Sequence, residues 1–391
     1  MKNWMKLSLI PLLVLGISFE LYAQKVDIYG YFEPQLMAVV IEDQFYQLNT
    51  NKLRLDLESD VGEDVTFGAN FDFINYFGKT EWNILDYLPD SISEAIPPGQ
   101  KSSYSLAYDD QVFLDNAYLK LSFKYADLTF GKQQISLGTG YAWNPTDVFN
   151  FKSLLEPTYE QPGHNAVRLD IPLGSEYGIV AIYTPEDNLK NSGKLLRLKG
   201  KISHFDYSVI AIEKEWTITD YLTFTPLSQR RRVLGGDFAG ELLGLGIWGE
   251  IALNDMEITE SFWESVIGLD YTFRSGTYFM SEYYRNTRGK TDYKKYDLND
   301  WMQLIMAEKR AISRDQIYAL VNHPLTDLIQ VGCSLITSIN DGSFAVVPTL
   351  NYNIFENVEL FTYLNFYFGK EGKSFASNLG NGGVARARVY F

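Results

Sequence analysis

From Lys25 to Phe391 the chain repeats one pattern: apolar and polar side chains alternate residue by residue, in short runs broken by turn formers. Leu53, Leu55 and Leu57 alternate with Lys52, Arg54, Asp56 and Glu58. Val65, Phe67, Ala69, Phe71 and Phe73 alternate with Thr66, Gly68, Asn70 and Asp72. The same dyad returns in Ala117–Phe123, Val167–Ile171, Leu196–Ile202 and Val358–Phe366. It ends in Val384–Phe391, where Ala385, Ala387, Val389 and Phe391 oppose Arg386, Arg388 and Tyr390. A period of two places one set on each face of an extended strand, so the chain reads as all-β.

Alternation alone also describes a half-solvated antiparallel sheet. The connections narrow the choice, because short turns alternate with long polar loops. The short ones centre on Val61–Glu63, Tyr125–Asp127, Gly174–Glu176, His204–Phe205, Glu241–Leu242, Arg274–Gly276, Thr326–Asp327 and Glu356–Asn357. The longer ones include Gly78–Asp109, Ser136–Gly163, Trp216–Gln229, Thr287–Ile312 and Gly369–Gly382. Short turns at one end and long loops at the other are the layout of a transmembrane antiparallel up-and-down β-barrel. Counting runs predicts about 18 strands. Phe205–Lys214, Arg230–Phe238 and Ile317–Pro324 alternate poorly, so about 16 stays open. Pro348 inside a good strand predicts a bulge there. Within Thr287–Ile312, Asn299 or Asp300 is placed to cap a short helix carrying Trp301, Leu304 and Ile305, expected to pack over the barrel rim.

Composition agrees with a barrel. The 391 residues include 27 Tyr and 25 Phe but 7 Trp, and interfacial girdles use such rings. Met1–Ala23 reads as a secretory signal peptide: Lys2 and Lys6, then an apolar Leu7–Phe19, then Leu21-Tyr22-Ala23 before the expected cut. Residues 24–391 are then the barrel. Removing Lys2, Lys6 and Glu20 leaves 32 basic against 48 acidic side chains, a net charge of −16. That balance argues against nucleic acid as a partner. Cys333 is the only cysteine, so an intrachain disulfide is excluded. No later segment has the apolar length of a spanning helix, so a membrane form must be a closed barrel.

Residues Leu128–Phe151 carry the most specific internal motif: Gly131-Lys132-Gln133-Gln134, then Gly138-Thr139-Gly140, then Asn144-Pro145-Thr146-Asp147. With the C-terminal Phe391, this stretch resembles the strand and following loop of porin-like outer-membrane barrels of Gram-negative bacteria, of the Bacteroidetes type. Lys132 stands where that family carries Arg, which puts a bidentate role in doubt. The resemblance implies an outer-membrane channel for passive diffusion of small polar or charged solutes. It also implies outer-membrane lipid and the barrel-assembly machinery as partners, the latter reading Phe391; a homotrimer stays open. Neither a cofactor nor a metal is expected.

The parity of the strands nominates pore-lining residues. The inward basic set is Lys52, Arg54, Lys120, Lys124, Arg168, Arg197, Lys199, Lys201, Arg386 and Arg388. The inward acidic set is Asp56, Glu58, Asp72, Asp170, Glu250, Asp270 and Glu359, with Gln133 on the same parity. Facing rows of opposite sign would set up a transverse field across the lumen. An anion-preferring pore would use Arg197, Lys199 and Lys201 with Arg168 beside them. Closure should place Arg386 and Arg388 opposite Asp27, Tyr29, Tyr31 and Glu33. On the other parity, Lys132 would be costly at mid-membrane, so a rim position or a bulge at Gly131 is expected.

Two other functions compete: a structural or surface-interaction barrel plugged by its own loops, and an outer-membrane hydrolase. His164 and His204 lie near no Gly-x-Ser-x-Gly element, so no enzyme is expected. The acidic loop residues Asp86, Asp90, Glu94, Asp109 and Asp110 lack EF-hand spacing and read as solvated charge. A gated transporter of about 22 strands would also need an N-terminal plug, and the first strand is expected to begin at Val26.

Overall fold

The computed structural model describes residues 26–41 and 43–391. The signal segment expected at Met1–Ala23 lies outside the described residues. The strands are β1 (Asp27–Ile41), β2 (Gln44–Gly62), β3 (Val65–Gly78), β4 (Glu81–Asn83), β5 (Ser105–Ala107), β6 (Gln111–Phe123) and β7 (Ala126–Gln133). They continue as β8 (His164–Leu173), β9 (Tyr177–Thr184), β10 (Gly193–Ile202), β11 (Phe205–Asp220), β12 (Thr225–Leu242) and β13 (Leu245–Met256). The last are β14 (Phe262–Thr272), β15 (Tyr278–Asn286), β16 (Asp315–Pro324), β17 (Ile329–Ser338), β18 (Phe344–Phe355), β19 (Val358–Phe368) and β20 (Asn381–Tyr390). Among the described residues, two α-helices lie in the long loops, α1 (Asp90–Ser93) and α2 (Leu298–Ile305), beside short 3-10 turns.

All but β4 and β5 join one 18-stranded sheet, antiparallel throughout. β4 and β5 pair separately as a small hairpin within the loop between β3 and β6. β20 pairs with both β19 and β1, so the sheet closes on itself and leaves no free edge. Tyr31 stands opposite Tyr390, and Phe391 exchanges both backbone hydrogen bonds with Gly30 at 3.1 Å. The register drops out at Glu33 and Pro34, because proline has no N–H to give the ladder.

Register assigns the faces. Glu33, Lys52, Arg54 and Asp72 share the inner face through the pairs Glu33↔Lys52 and Arg54↔Asp72. On the outer face of β1, Ile28, Phe32, Leu36 and Val40 are all exposed. Comparable apolar side chains, such as Phe67, Leu198 and Ile251, stand outward on other strands. The eighteen-strand count therefore holds and sixteen is excluded.

Three expected details change. Trp216–Gln229 is not a long loop, since β11 runs to Asp220 and β12 starts at Thr225. No bulge forms at Pro348, where the register with β19 is unchanged on either side of the interruption; the shift comes at Asn353–Phe355. Asp297, rather than Asn299 or Asp300, caps α2, with a reciprocal capping box to Asp300. The helix buries Leu298, Trp301 and Met302 against Leu85, Tyr104 and Tyr221 from two neighbouring loops. This cluster roofs the loop end of the barrel.

The loop of residues 134–163, between β7 and β8, is different. It packs against the inner faces of two stretches of wall. Val148 and Phe149 join a buried cluster that includes Ile182, Ile210, Ile212 and Val233. Ala142 and Trp143 join a second with Trp248, Met280, Tyr284 and Tyr318. Its far end bonds to Lys52 of β2 and Arg386 of β20 on the opposite wall, so the segment runs through the lumen.

Candidate functional site

The lumenal loop starts from a backbone that only glycine serves well. Gly131 has φ +113°, and a Cβ there would collide with the Ala117 carbonyl. Lys132 keeps its outward parity opposite Ala117, and its Nζ donates to the Leu114 carbonyl at 2.7 Å. That carbonyl flanks a bulge in β6, where Asp115 is skipped between the pairs Asn70↔Asn116 and Phe71↔Leu114. The bulge carries Asp115 to the inside, where its carboxylate accepts from Arg54 at 3.1 Å and from the Gly163 N–H at 3.2 Å.

Two wall carboxylates anchor the stem. Glu250 accepts from the Thr139 N–H at 3.0 Å and from both the N–H and hydroxyl of Thr146, the latter at 2.7 Å. Glu282 accepts from the N–H groups of Tyr141 and Ala142 and from the Trp248 indole at 2.6 Å. Gly138 has φ +82°, and any Cβ would strike the Glu250 carboxylate. Trp143 stacks on Tyr284, centroids 5.0 Å apart and planes 10° off parallel. Asp147 closes a local turn, accepting from the N–H groups of Phe149 and Asn150. The Gly-Thr-Gly…Asn-Pro-Thr-Asp motif thus forms a rigid wedge inside the barrel.

From that wedge the chain crosses to the far wall. Lys152 ties the crossing back to the Gly140 and Tyr141 carbonyls at 2.9 Å each, and burial pushes its ammonium pKa down. At the tip, Glu156 forms a two-point ion pair with Arg386, one arm 2.8 Å long. The Tyr159 hydroxyl donates to Glu33 at 3.1 Å. Glu160 accepts from Tyr31 at 2.7 Å and from Lys52 at 2.9 Å. Burial alone would raise the Glu160 carboxyl, but Lys52, with help from Tyr31 and Arg388, outweighs it and holds the group below its ordinary value.

The receiving wall is a continuous network on β20, β1, β2, β3 and β6. Arg388 donates to Glu33 at 2.6 Å and lies 4.2 Å over the Tyr31 ring. Lys52 also meets Asp72 at 3.2 Å, and Arg54 meets Asp56 at 2.9 Å. Positive and negative groups therefore interleave on this wall instead of forming a row of one sign. Arg386 and Arg388 do meet Tyr31 and Glu33. Asp27 and Tyr29 stand further toward the turn end, opposite Glu58 and Asp56 of β2.

The other nominated residues are spread along the barrel. Lys120 pairs with Asp127 at 3.0 Å, and Arg168 with Asp170 at 2.7 Å, both half-exposed near the turns. Arg197 reaches Asp237 at 3.3 Å, while Lys199 and Lys201 are exposed nearer the turn end. Lys124 is not on the wall: β6 ends at Phe123, and Lys124 belongs to the turn before β7. Gln133 is buried, bonding to the Thr129 and Ala166 carbonyls rather than to the lumen. Glu58 receives the Tyr29 hydroxyl, and Glu359 the Tyr390 hydroxyl, both near the turn end. Asp270 accepts from Tyr278 at 2.9 Å. His164 opens β8 with its Nε2 2.9 Å from the Asn150 amide oxygen.

Strand parity does not reach the loop-tip residues that bond to this wall, Glu156, Tyr159 and Glu160. Their only sequence signal is an acidic pair four apart, Glu156 and Glu160, with Pro157 and Tyr159 between them and Pro162 just after. Loop residues have no strand parity, so alternation cannot assign them a side.

Neither a family model nor a curated protein matches the chain. Among solved structures, OccAB4 of Acinetobacter baumannii is similar at 9% identity and a TM-score of 0.57, covering 94% of this chain and 98% of that one. An engineered porin of Rhodopseudomonas blastica (10%, TM-score 0.46) and OmpF of Salmonella typhi (12%, TM-score 0.45) align over 94% of this chain and 100% and 98% of theirs. The fold is what OccAB4 shares with this chain: a closed antiparallel β-barrel, eighteen-stranded here.

Proposed function

We propose that the chain is a porin-type channel of the bacterial outer membrane, passing small polar solutes by diffusion between the tip of its lumenal loop and the β1, β2 and β20 wall. The observation that carries the reading is the ion-paired network between loop tip and wall, inside a barrel whose outer face exposes apolar side chains. An apolar exterior suits lipid, and charged linings admit hydrated solutes while rejecting apolar ones.

The balance of charge sets the expected preference. Glu33, Asp56, Asp72, Asp115, Glu156 and Glu160 face Lys52, Arg54, Arg386 and Arg388, two more carboxylates than bases. Neutral solutes and cations should pass in preference to anions. The Arg197, Lys199 and Lys201 ladder stands away from this network and would not govern selectivity. The test is current through the purified protein in a planar bilayer under a KCl gradient. A cation-selective reversal potential is expected, and a complete lack of conductance would overturn the channel reading.

A second reading, a barrel shut by its own loop, is favoured by one fact: the tip is bonded to the wall through Glu156, Tyr159 and Glu160. The two readings part on whether wild-type protein conducts at all.

A further inference from the structure

One rung toward the loop end from these ion pairs, the inner wall changes character. Gln35, Thr50 and Tyr76 stand side by side across β1, β2 and β3. With Tyr108, Phe113 and Tyr363 they surround a cavity of about 430 Å³ whose floor is the Lys52, Glu160 and Arg386 network. Tyr76 and Tyr108 form an inclined pair, ring centroids 5.4 Å apart and planes at 41°. The side-chain polar groups of Gln35, Thr50, Tyr76, Tyr108 and Tyr363 have no hydrogen-bond partner among the described residues, yet none is sealed from the cavity.

We infer that this cup is a binding site for a neutral saccharide of one or two rings. Three properties select that chemistry. The volume falls within the range of about 300–1,000 Å³ common to small-ligand pockets. Aromatic rings offer apolar faces to the C–H face of a pyranose, while amide and hydroxyl groups aimed at the same space can donate to and accept from its hydroxyls.

The third property is exclusion of anions. Lys52 is held by Asp72 and Glu160, Arg54 by Asp56 and Asp115, and Arg386 by Glu156 and Glu33. An anion would have to break one of these half-buried pairs and leave a carboxylate without its partner, which is costly. A neutral polyol breaks none of them.

The biological meaning of the cup rests on the channel reading, but binding to it does not, so the two are measured separately. Maltose is titrated calorimetrically into the detergent-solubilised full-length barrel, with glucose as a smaller neutral probe and citrate as an anionic one. Saturable maltose binding is expected, with no displacement by citrate. Tyr108→Ala should weaken it about tenfold, as loss of one aromatic contact would, while Tyr108→Phe should keep most of it. Tyr363→Ala, on the opposite side, should weaken it in parallel and guards against a folding defect in one variant. Absence of saturable binding of both sugars, or binding untouched by both Ala variants, would overturn the site. In a bilayer, current without sugar tests the channel and maltose-dependent block tests the cup. Current without block or binding sinks the cup and leaves the channel; binding without current supports the cup and sinks the channel.

Discussion

Lys52 on β2 and Glu160 in the lumenal loop, 108 positions apart in the chain, meet at 2.9 Å inside the barrel. With Glu156 and Arg386 they clasp the loop tip to the wall. Charged hydrogen bonds of this kind are worth roughly 1.5–3 kcal/mol each. The double variant Glu156→Gln with Glu160→Gln should release the tip and raise single-channel conductance. Bilayer recordings check this, and an unchanged conductance would mean that the tip does not limit the passage.

Trp143 fills the contact between the loop wedge and Tyr284. Trp143→Ala removes a buried indole where the wall cannot collapse to fill the space. A loss of about 3–5 kcal/mol is expected, seen as a lower denaturant midpoint in detergent. A shift near zero would contradict the tight packing of the wedge.

Glu250 satisfies the backbone of Thr139 and Thr146 inside the barrel. Glu250→Ala leaves both N–H groups without an acceptor, at roughly 1–3 kcal/mol for each. The expected readout is local: faster proteolysis within residues 134–163 while the barrel strands stay protected. Equal protease resistance in wild type and variant would remove Glu250 as the anchor.

Acid should open the clasp late. Glu160 faces Tyr31, Lys52, Arg54 and Arg388. These outweigh burial and keep its carboxyl below the ordinary 4.5. A depressed carboxyl contributes stability that is complete above its unfolded value and lost as pH falls through the folded one. Conductance should therefore hold steady from neutrality to the ordinary carboxylate range and rise only below it. A rise beginning above that range would show that another group controls the tip.

Alternation failed where the lumenal loop lies. Phe205–Lys214 alternates poorly because Ile210 and Ile212 face inward yet are fully covered, so they are as apolar as Val209 and Ala211 on the lipid-side parity. Arg230–Phe238 and Ile317–Pro324 fail for the same reason, with Val233 and Leu320 buried on the inner face. Weak alternation was thus a trace of the loop. Sequence alone could not turn that trace into a position, because a strand with two apolar faces has the same pattern whatever covers it.

The chain's own residues determined the class of fold and much of its layout. Dyad parity put Lys52, Arg54, Asp72, Arg386 and Arg388 on one face, and the spacing of turns predicted eighteen strands. Both are local properties, set by two-residue pleat and turn chemistry. What only the tertiary structure decided is which of those charges matter. Sheet closure placed Arg388 beside Glu33, and the inward path of residues 134–163 carried Glu156 and Glu160 across the lumen to them. A loop has no periodicity that names its partners, and contacts over such separations arise from ring closure and packing, which no local pattern encodes.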